Sequence, residues 1–188
     1  MRKIAIVGSG LIGRAWATVF ASHGWAVSLY DIVPGAAEAA RDHIGDSLRD
    51  LAGHGLVADA RGSLARIEAV RTLAEAVDGA ELVQENGPEA VDTKRALFAE
   101  LDRLAGPEAI LASSTSFIVA SRFSEDLPGR HRCLVAHPVN PPHLVPIVEL
   151  CPSPWTDPKV VEKARGLYAR AGQVPIIVRK EVDGFVLN

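Results

Sequence analysis

The sequence predicts an α/β protein, a doubly wound and mostly parallel sheet with helices packed on it. Three observations lead there. Short apolar runs of strand length alternate with stretches of helical period along the chain. A glycine loop, Gly8-Ser9-Gly10-Leu11-Ile12-Gly13, joins the first run to the first helical stretch. The second run ends in an acid, Asp31, at the separation of about 20 residues that a strand–helix–strand unit spans.

In chain order, Ile4–Val7 is the first strand. Leu11, Ala15 and Val19, with Ile12, Trp16 and Phe20, recur at the spacing of a buried helix face, and Gly24 suits the position just past its end. Ala26–Tyr30 is the next strand. An alanine-rich helix runs over 36–52, and Gly53, Gly55 and Gly62 separate it from a second short helix before the strand Ile67–Val70. Thr72 can cap a helix through Val77. Glu81–Gln84 and Ala109–Ala112 are strands around a periodic helix, Asp92–Leu104. Cys133–Ala136 follows, then Ile147–Cys151 and Pro175–Val178 flanking a helix over 157–171. The proline-rich points, His137 to Pro146 and Cys151 to Pro154, read as rigid loops within one domain.

The 188 residues are enough to bury a core without staples. A formal charge of −3 leaves no basic excess for a nucleic-acid backbone. No uninterrupted apolar run reaches the length of a membrane span. Cys133 and Cys151 form no ligand spacing, which suits a reduced, cytoplasmic setting.

The glycine loop has the G-x-G-x-x-G form. Gly8 permits the tight turn, Gly10 removes a side chain that would block a pyrophosphate, and Gly13 lets the helix approach the sheet. Leu11 and Ile12 open the helix whose free N–H groups face the phosphates. Alone the motif is weak; a strand before it, a helix after it and Asp31 at the next strand end make it specific. Asp31 accepts from ribose hydroxyls and repels a 2′-phosphate, and Ile32, Val33 and Pro34 offer no cation to offset that. The expected cofactor is NAD rather than NADP.

Glu149 is the one acid in the apolar run that follows His137 to His143, and a carboxylate there needs a partner. His137, on a loop that could fold back to it, would be oriented by it and serve as a base. Spacing leaves a purely structural histidine equally open. A metal site from His137, His143 and Glu149 fits no helix or strand face, so no metal is expected. Ser113 to Ser116 end another strand, where hydroxyls either donate to a substrate carbonyl or cap a helix.

At these residues the chain resembles the 3-hydroxyacyl-CoA dehydrogenase superfamily, with its lambda-crystallin/L-gulonate 3-dehydrogenase branch nearest. The matching segments are GSGLIGRAWA at 8–17, LYDI at 29–32, GPEAVDTKRALFAELD at 87–102, SSTS at 113–116, AHPVNPPHLVPIVEL at 136–150 and KEVDGFVLN at 180–188. The resemblance implies a Rossmann-type NAD-binding domain over 1–182, with 183–188 beginning a helical domain whose remainder the chain lacks. It implies that His137 is the catalytic histidine, Glu149 its partner, and that Ser116 and Asn188 hold the reacting oxygen. Asn140 would lie beside the nicotinamide, and Glu89 with Lys94 would form a polar pair near the cofactor.

The implied reaction is NAD-dependent oxidation of an L-3-hydroxy acid to the 3-keto acid, in a parent that is a homodimer. Two departures bear on the substrate. The family's acyl-CoA members carry bulky residues after the histidine, where this chain has HPVNPP. Residues 34–70, often lysine-rich where those members contact CoA, hold no lysine; Arg41, Arg49, Arg61 and Arg66 face six acids. A small free acid such as L-gulonate is therefore expected. The alternatives are a 3-hydroxyacyl-CoA, L-carnitine, or a non-catalytic crystallin-like module. Asn188, last in the chain, is expected to fray.

Overall fold

A computed structural model describes every residue from Met1 to Asn188. The strands are β1 (Lys3–Val7), β2 (Ala26–Tyr30), β3 (Ile67–Ala69), β4 (Leu82–Glu85), β5 (Ile110–Ser113), β6 (Cys133–Pro138), β7 (Ile147–Pro152) and β8 (Val174–Ile177). They form one sheet in the order β3-β2-β1-β4-β5-β6-β7-β8. Every neighbouring pair is parallel except β6 and β7. The helices are α1 (Leu11–Ser22), α2 (Ala36–Gly53), α3 (Ala60–Ala65), α4 (Leu73–Val77), α5 (Val91–Leu104), α6 (Ser121–Ser124) and α7 (Pro158–Arg170). This is the Rossmann-like α/β architecture that the alternating periods predict.

The alternation along β1 explains the layers. Ile4 and Ile6 join a core with Trp16 and Phe20 of α1 and Leu167 and Tyr168 of α7. Ala5 and Val7 join another with Leu73 of α4, Phe98 of α5 and Phe123 of α6. Successive side chains of a strand point to opposite faces, so a strand apolar throughout must be covered on both. Local signals fix several ends. Thr72 and Glu75 close a reciprocal capping box on α4, and Asp157 caps α7, which Pro158 opens.

The topology creates the crevice. From β1 the chain builds outward through β2 and β3, then returns to the other side of β1 for β4. Ligands bind at such a switch point, beyond the carboxyl ends of the strands. Gly8 follows β1 and Asn86 follows β4. A Cβ on Gly8, whose φ is +91°, would lie 2.9 Å from the Asn86 carbonyl carbon. Only glycine combines that backbone angle with that approach.

The structure differs from expectation in two places. β6 runs to Pro138, so His137 sits in a strand rather than on a loop, and β7 returns antiparallel beside it. Between β5 and β6 the chain adds α6 and a single 3-10 turn, Arg130–Arg132. One-turn helices are too short to carry a hydrophobic period. The turn is held instead by Arg132, buried with Asp102 at 2.8 Å. Cys133 and Cys151 are free and buried, and burial, aided by Asp102 and Glu181 respectively, pushes each thiol up to about 12. Both stay protonated and inert at neutral pH. No helix is long and apolar enough to cross a membrane.

Candidate active site

A cavity of about 890 Å³ opens at the switch point, with Gly8, Gly10, Tyr30, Asp31, Asn86 and Gly87 on its wall. A Cβ on Gly13 would lie 1.9 Å from the Gly8 carbonyl oxygen, so the helix packs against the loop with no room for a methyl group. A Cβ on Gly10 would meet nothing within 4 Å. That position is open, and it leaves room for a phosphate to approach the N–H groups in the first turn of α1. The Ser9 N–H and hydroxyl donate to Asp31 Oδ2 at 2.7 and 2.8 Å, and the Val33 N–H donates to Oδ1 at 3.0 Å. Burial alone would push this carboxyl up. The N–H groups of Val33 and Ser9, the Ser9 hydroxyl and the Ile32 N–H outweigh it and hold Asp31 below the usual carboxylate range.

A second cavity of about 360 Å³ has Ile12, Ser116, His137, Asn140 and Asn188 on its wall. Its Ser114 donates to Asn86 Oδ1 at 2.7 Å, which links it to the wall of the first. His137 and Glu149 are cross-strand partners in the β6–β7 register. His137 Nδ1 lies 2.8 Å from Glu149 Oε2, and Glu149 is fully buried. A carboxylate only accepts, so the ring proton is assigned to Nδ1 and the Nε2 lone pair is left free. The other Glu149 oxygen accepts from the Val186 N–H at 2.9 Å. His143 lines a separate small cavity with Gln173, where burial pushes its imidazole down.

The hydroxyls after β5 divide their tasks. Ser113 donates to Glu85 at 2.5 Å. Ser114 accepts from Trp16 Nε1 at 3.0 Å and from Gln84 Nε2 at 2.6 Å. Thr115 accepts from the Ile118 N–H at 2.9 Å and donates to Glu89. Only Ser116 is exposed. Glu89 Oε1 also accepts from the Ser116 and Phe117 N–H groups, both at 3.1 Å, and so anchors that turn. Lys94 is buried and donates to both oxygens of Glu85 at 2.9 Å, while Glu89 lies 3.9 Å away. Its ammonium is thus committed to Glu85, at the end of β4.

Glu85 itself was not singled out in the sequence, although an acid at a strand end is the same signal that marks Asp31. It also accepts from the Gly87 N–H at 2.6 Å, fixing the wall of the first cavity. Asn188, expected to fray, instead donates from Nδ2 to the Ser116 carbonyl at 2.8 Å.

The sequence model described as 3-hydroxyacyl-CoA dehydrogenase, NAD binding domain, matches residues 3–182. This chain belongs to that family. A lambda-crystallin of Oryctolagus cuniculus is 43% identical over 188 residues, covering 98% of this chain and 59% of its own length. An L-carnitine dehydrogenase of Pseudomonas sp is 39% identical, covering 100% of this chain and 58% of its own length. Among solved structures, a 3-hydroxybutyryl-CoA dehydrogenase from Escherichia coli superposes with a TM-score of 0.89 at 30% identity, over 94% of this chain and 38% of that one. The chain therefore spans less than two thirds of the length of these relatives.

NAD is the family's cofactor, and the first cavity fits it: space beside Gly10 for a pyrophosphate, free N–H groups of α1, and an ionised Asp31 at the ribose end. A 2′-phosphate would face that carboxylate. NAD should bind at least about tenfold tighter than NADP, a difference of about 1.4 kcal/mol. Because the Asp31 carboxyl titrates lower in the fold than in a free chain, this preference should persist as pH falls into the ordinary carboxylate range and fade only below it. Calorimetry with both cofactors at neutral and mildly acidic pH checks it; equal affinities at neutral pH would refute it.

Proposed function

We propose that the protein oxidises a small, free L-3-hydroxy acid to the 3-keto acid with NAD, and that His137 is the base. The observation that carries this reading is the cross-strand pair His137–Glu149, at 2.8 Å, on the wall of a cavity linked to the cofactor cavity. Bound NAD supplies the hydride acceptor. His137 Nε2 takes the hydroxyl proton as the hydrogen on the same carbon leaves with its electron pair. Glu149 fixes the tautomer and offsets the charge that develops on the ring. Ser116 and Asn188 hold the substrate oxygen: the Ser116 hydroxyl is exposed to the cavity, and Asn188 has a second N–H beyond the one given to Ser116. Asn140 sits on the same wall, suited to the nicotinamide side.

A free acid rather than an acyl-CoA is favoured by residues 34–70. Arg41 donates to the Ile67 carbonyl, Arg66 to the Ala21 carbonyl, and Arg49 pairs with Asp46. Two of the four arginines in this acidic stretch are thus tied to backbone carbonyls and a third pairs with an acid at the surface, and with six acids around them the stretch is a poor match for the phosphates of CoA. A structural, crystallin-like role alone would not call for a buried carboxylate against a histidine, because an apolar residue would fill that place without the cost of desolvating a charge. The test is NADH formation with L-gulonate, 3-hydroxybutyrate, L-carnitine and 3-hydroxybutyryl-CoA. One of the free 3-hydroxy acids should show the highest kcat/KM. If 3-hydroxybutyryl-CoA ranks first, the substrate assignment is wrong.

A further inference from the structure

Residues 183–187 form a turn against the His137–Glu149 pair. Gly184 and Phe185 both take left-handed backbone angles, with φ of 77° and 58°. For glycine this is easy; Phe185 is the one non-glycine residue in the chain with a positive φ. A bulky side chain is disfavoured there, and such strain persists only where the surroundings impose it. Two consequences follow from the conformation. The Phe185 ring is buried with its centroid 5.4 Å from that of the His137 imidazole. The next N–H, that of Val186, points at Glu149 Oε1 at 2.9 Å. That oxygen has no other donor, and without one a fully buried carboxylate would draw in water or turn from the histidine.

We propose that Phe185 is a positioning residue for His137. Its turn supplies the donor that satisfies the second oxygen of Glu149, and its ring keeps water from the imidazole edge. Glu149 then has one oxygen free to hold His137 Nδ1–H, and Nε2 is aimed into the cavity. A replacement that keeps the turn but loses the ring should therefore loosen the histidine without touching the cofactor cavity. This role rests on the reading of His137 as the base, but the state of the Nδ1 proton can be observed without turnover.

The experiment is proton–nitrogen NMR of the chain with NAD bound, together with the substrate assay. In the wild type the Nδ1 proton of His137 should exchange slowly with water, and the Phe185 ring should show nuclear Overhauser contacts to the His137 ring. Phe185→Gly adopts a left-handed angle freely and lacks the ring. It should speed Nδ1–H exchange by roughly tenfold or more and lower kcat by roughly tenfold, with KM for NAD within about twofold. Phe185→Tyr keeps the ring and should restore both. Wild-type exchange and kcat in Phe185→Gly overturn the proposal. If that variant fails to fold, absence of the ring–ring contacts in the wild type overturns it and their presence with slow exchange supports it. If no acid is oxidised by the wild type, the functional reading fails, while the exchange rates still decide whether Phe185 positions His137.

Discussion

Replacing His137 with glutamine should cut turnover by about 10² or more, the usual scale for losing a general base, while NAD affinity stays within about twofold. The separation follows from the geometry. His137 lies on the wall of the smaller cavity, whereas Gly8, Gly10 and Asp31 lie on the larger one. Glu149→Gln should also lower the rate, for a more specific reason. Two donors face this carboxylate, His137 Nδ1–H at one oxygen and the Val186 N–H at the other. An amide has one oxygen and one NH2, so one of the two donors always meets a donor. If the NH2 faces His137, the ring proton must move to Nε2, and the base is lost from the cavity. If it faces Val186, a buried N–H goes unpaired, at a cost of about 1–3 kcal/mol. Steady-state kinetics, calorimetry and thermal unfolding of both variants check this. A His137→Gln variant at the parental rate would remove the dyad from the mechanism.

The second large effect separates two glycines of one loop. Gly13→Ala places a methyl group 1.9 Å from the Gly8 carbonyl oxygen, a backbone atom that cannot yield cheaply. It should destabilise the fold by about 3 kcal/mol or more, within the range of severe overpacking and backbone strain. Gly10→Ala meets nothing within 4 Å, and its φ of −66° is ordinary for alanine. It should cost stability only about 1 kcal/mol, the loss of a good residue at the helix cap. Yet the methyl group would stand where the pyrophosphate approaches, and NAD affinity should fall roughly tenfold or more. Unfolding midpoints and calorimetric affinities of the two variants test the contrast. Full NAD affinity in Gly10→Ala would mean that the phosphates lie elsewhere.

How legible the molecule was in its sequence depended on the range of the interactions. β1, the glycine loop, α1 and β2 form one contiguous unit, and their periods, glycines and terminal Asp31 were readable without tertiary information. The pairing of His137 with Glu149 was suggested by a lone acid in an apolar run. That His137 belongs to a strand, with Glu149 directly across from it, depends on β7 turning back antiparallel. No local signal announces that reversal, because the HPVNPP segment reads as a loop either way. Glu85 carries the same strand-end signal as Asp31, but its role does not show locally, because its partners, Lys94 and Ser113, come from α5 and β5 and converge only when the sheet forms. The contact between Asn188 and the Ser116 carbonyl is likewise a tertiary event, invisible to reasoning about chain ends.

In the proposed reaction the hydrogen on the carbon bearing the hydroxyl leaves as hydride while His137 takes the hydroxyl proton. Its most direct test is isotopic. The best free acid from the substrate panel is prepared with deuterium at C3 and incubated with NAD and the protein, and the products are weighed by mass spectrometry. The account predicts one deuterium on the nicotinamide ring, none at C3 of the 3-keto acid, and loss of that transfer in His137→Gln. Deuterium released to water, or transfer that persists undiminished in His137→Gln, would contradict it.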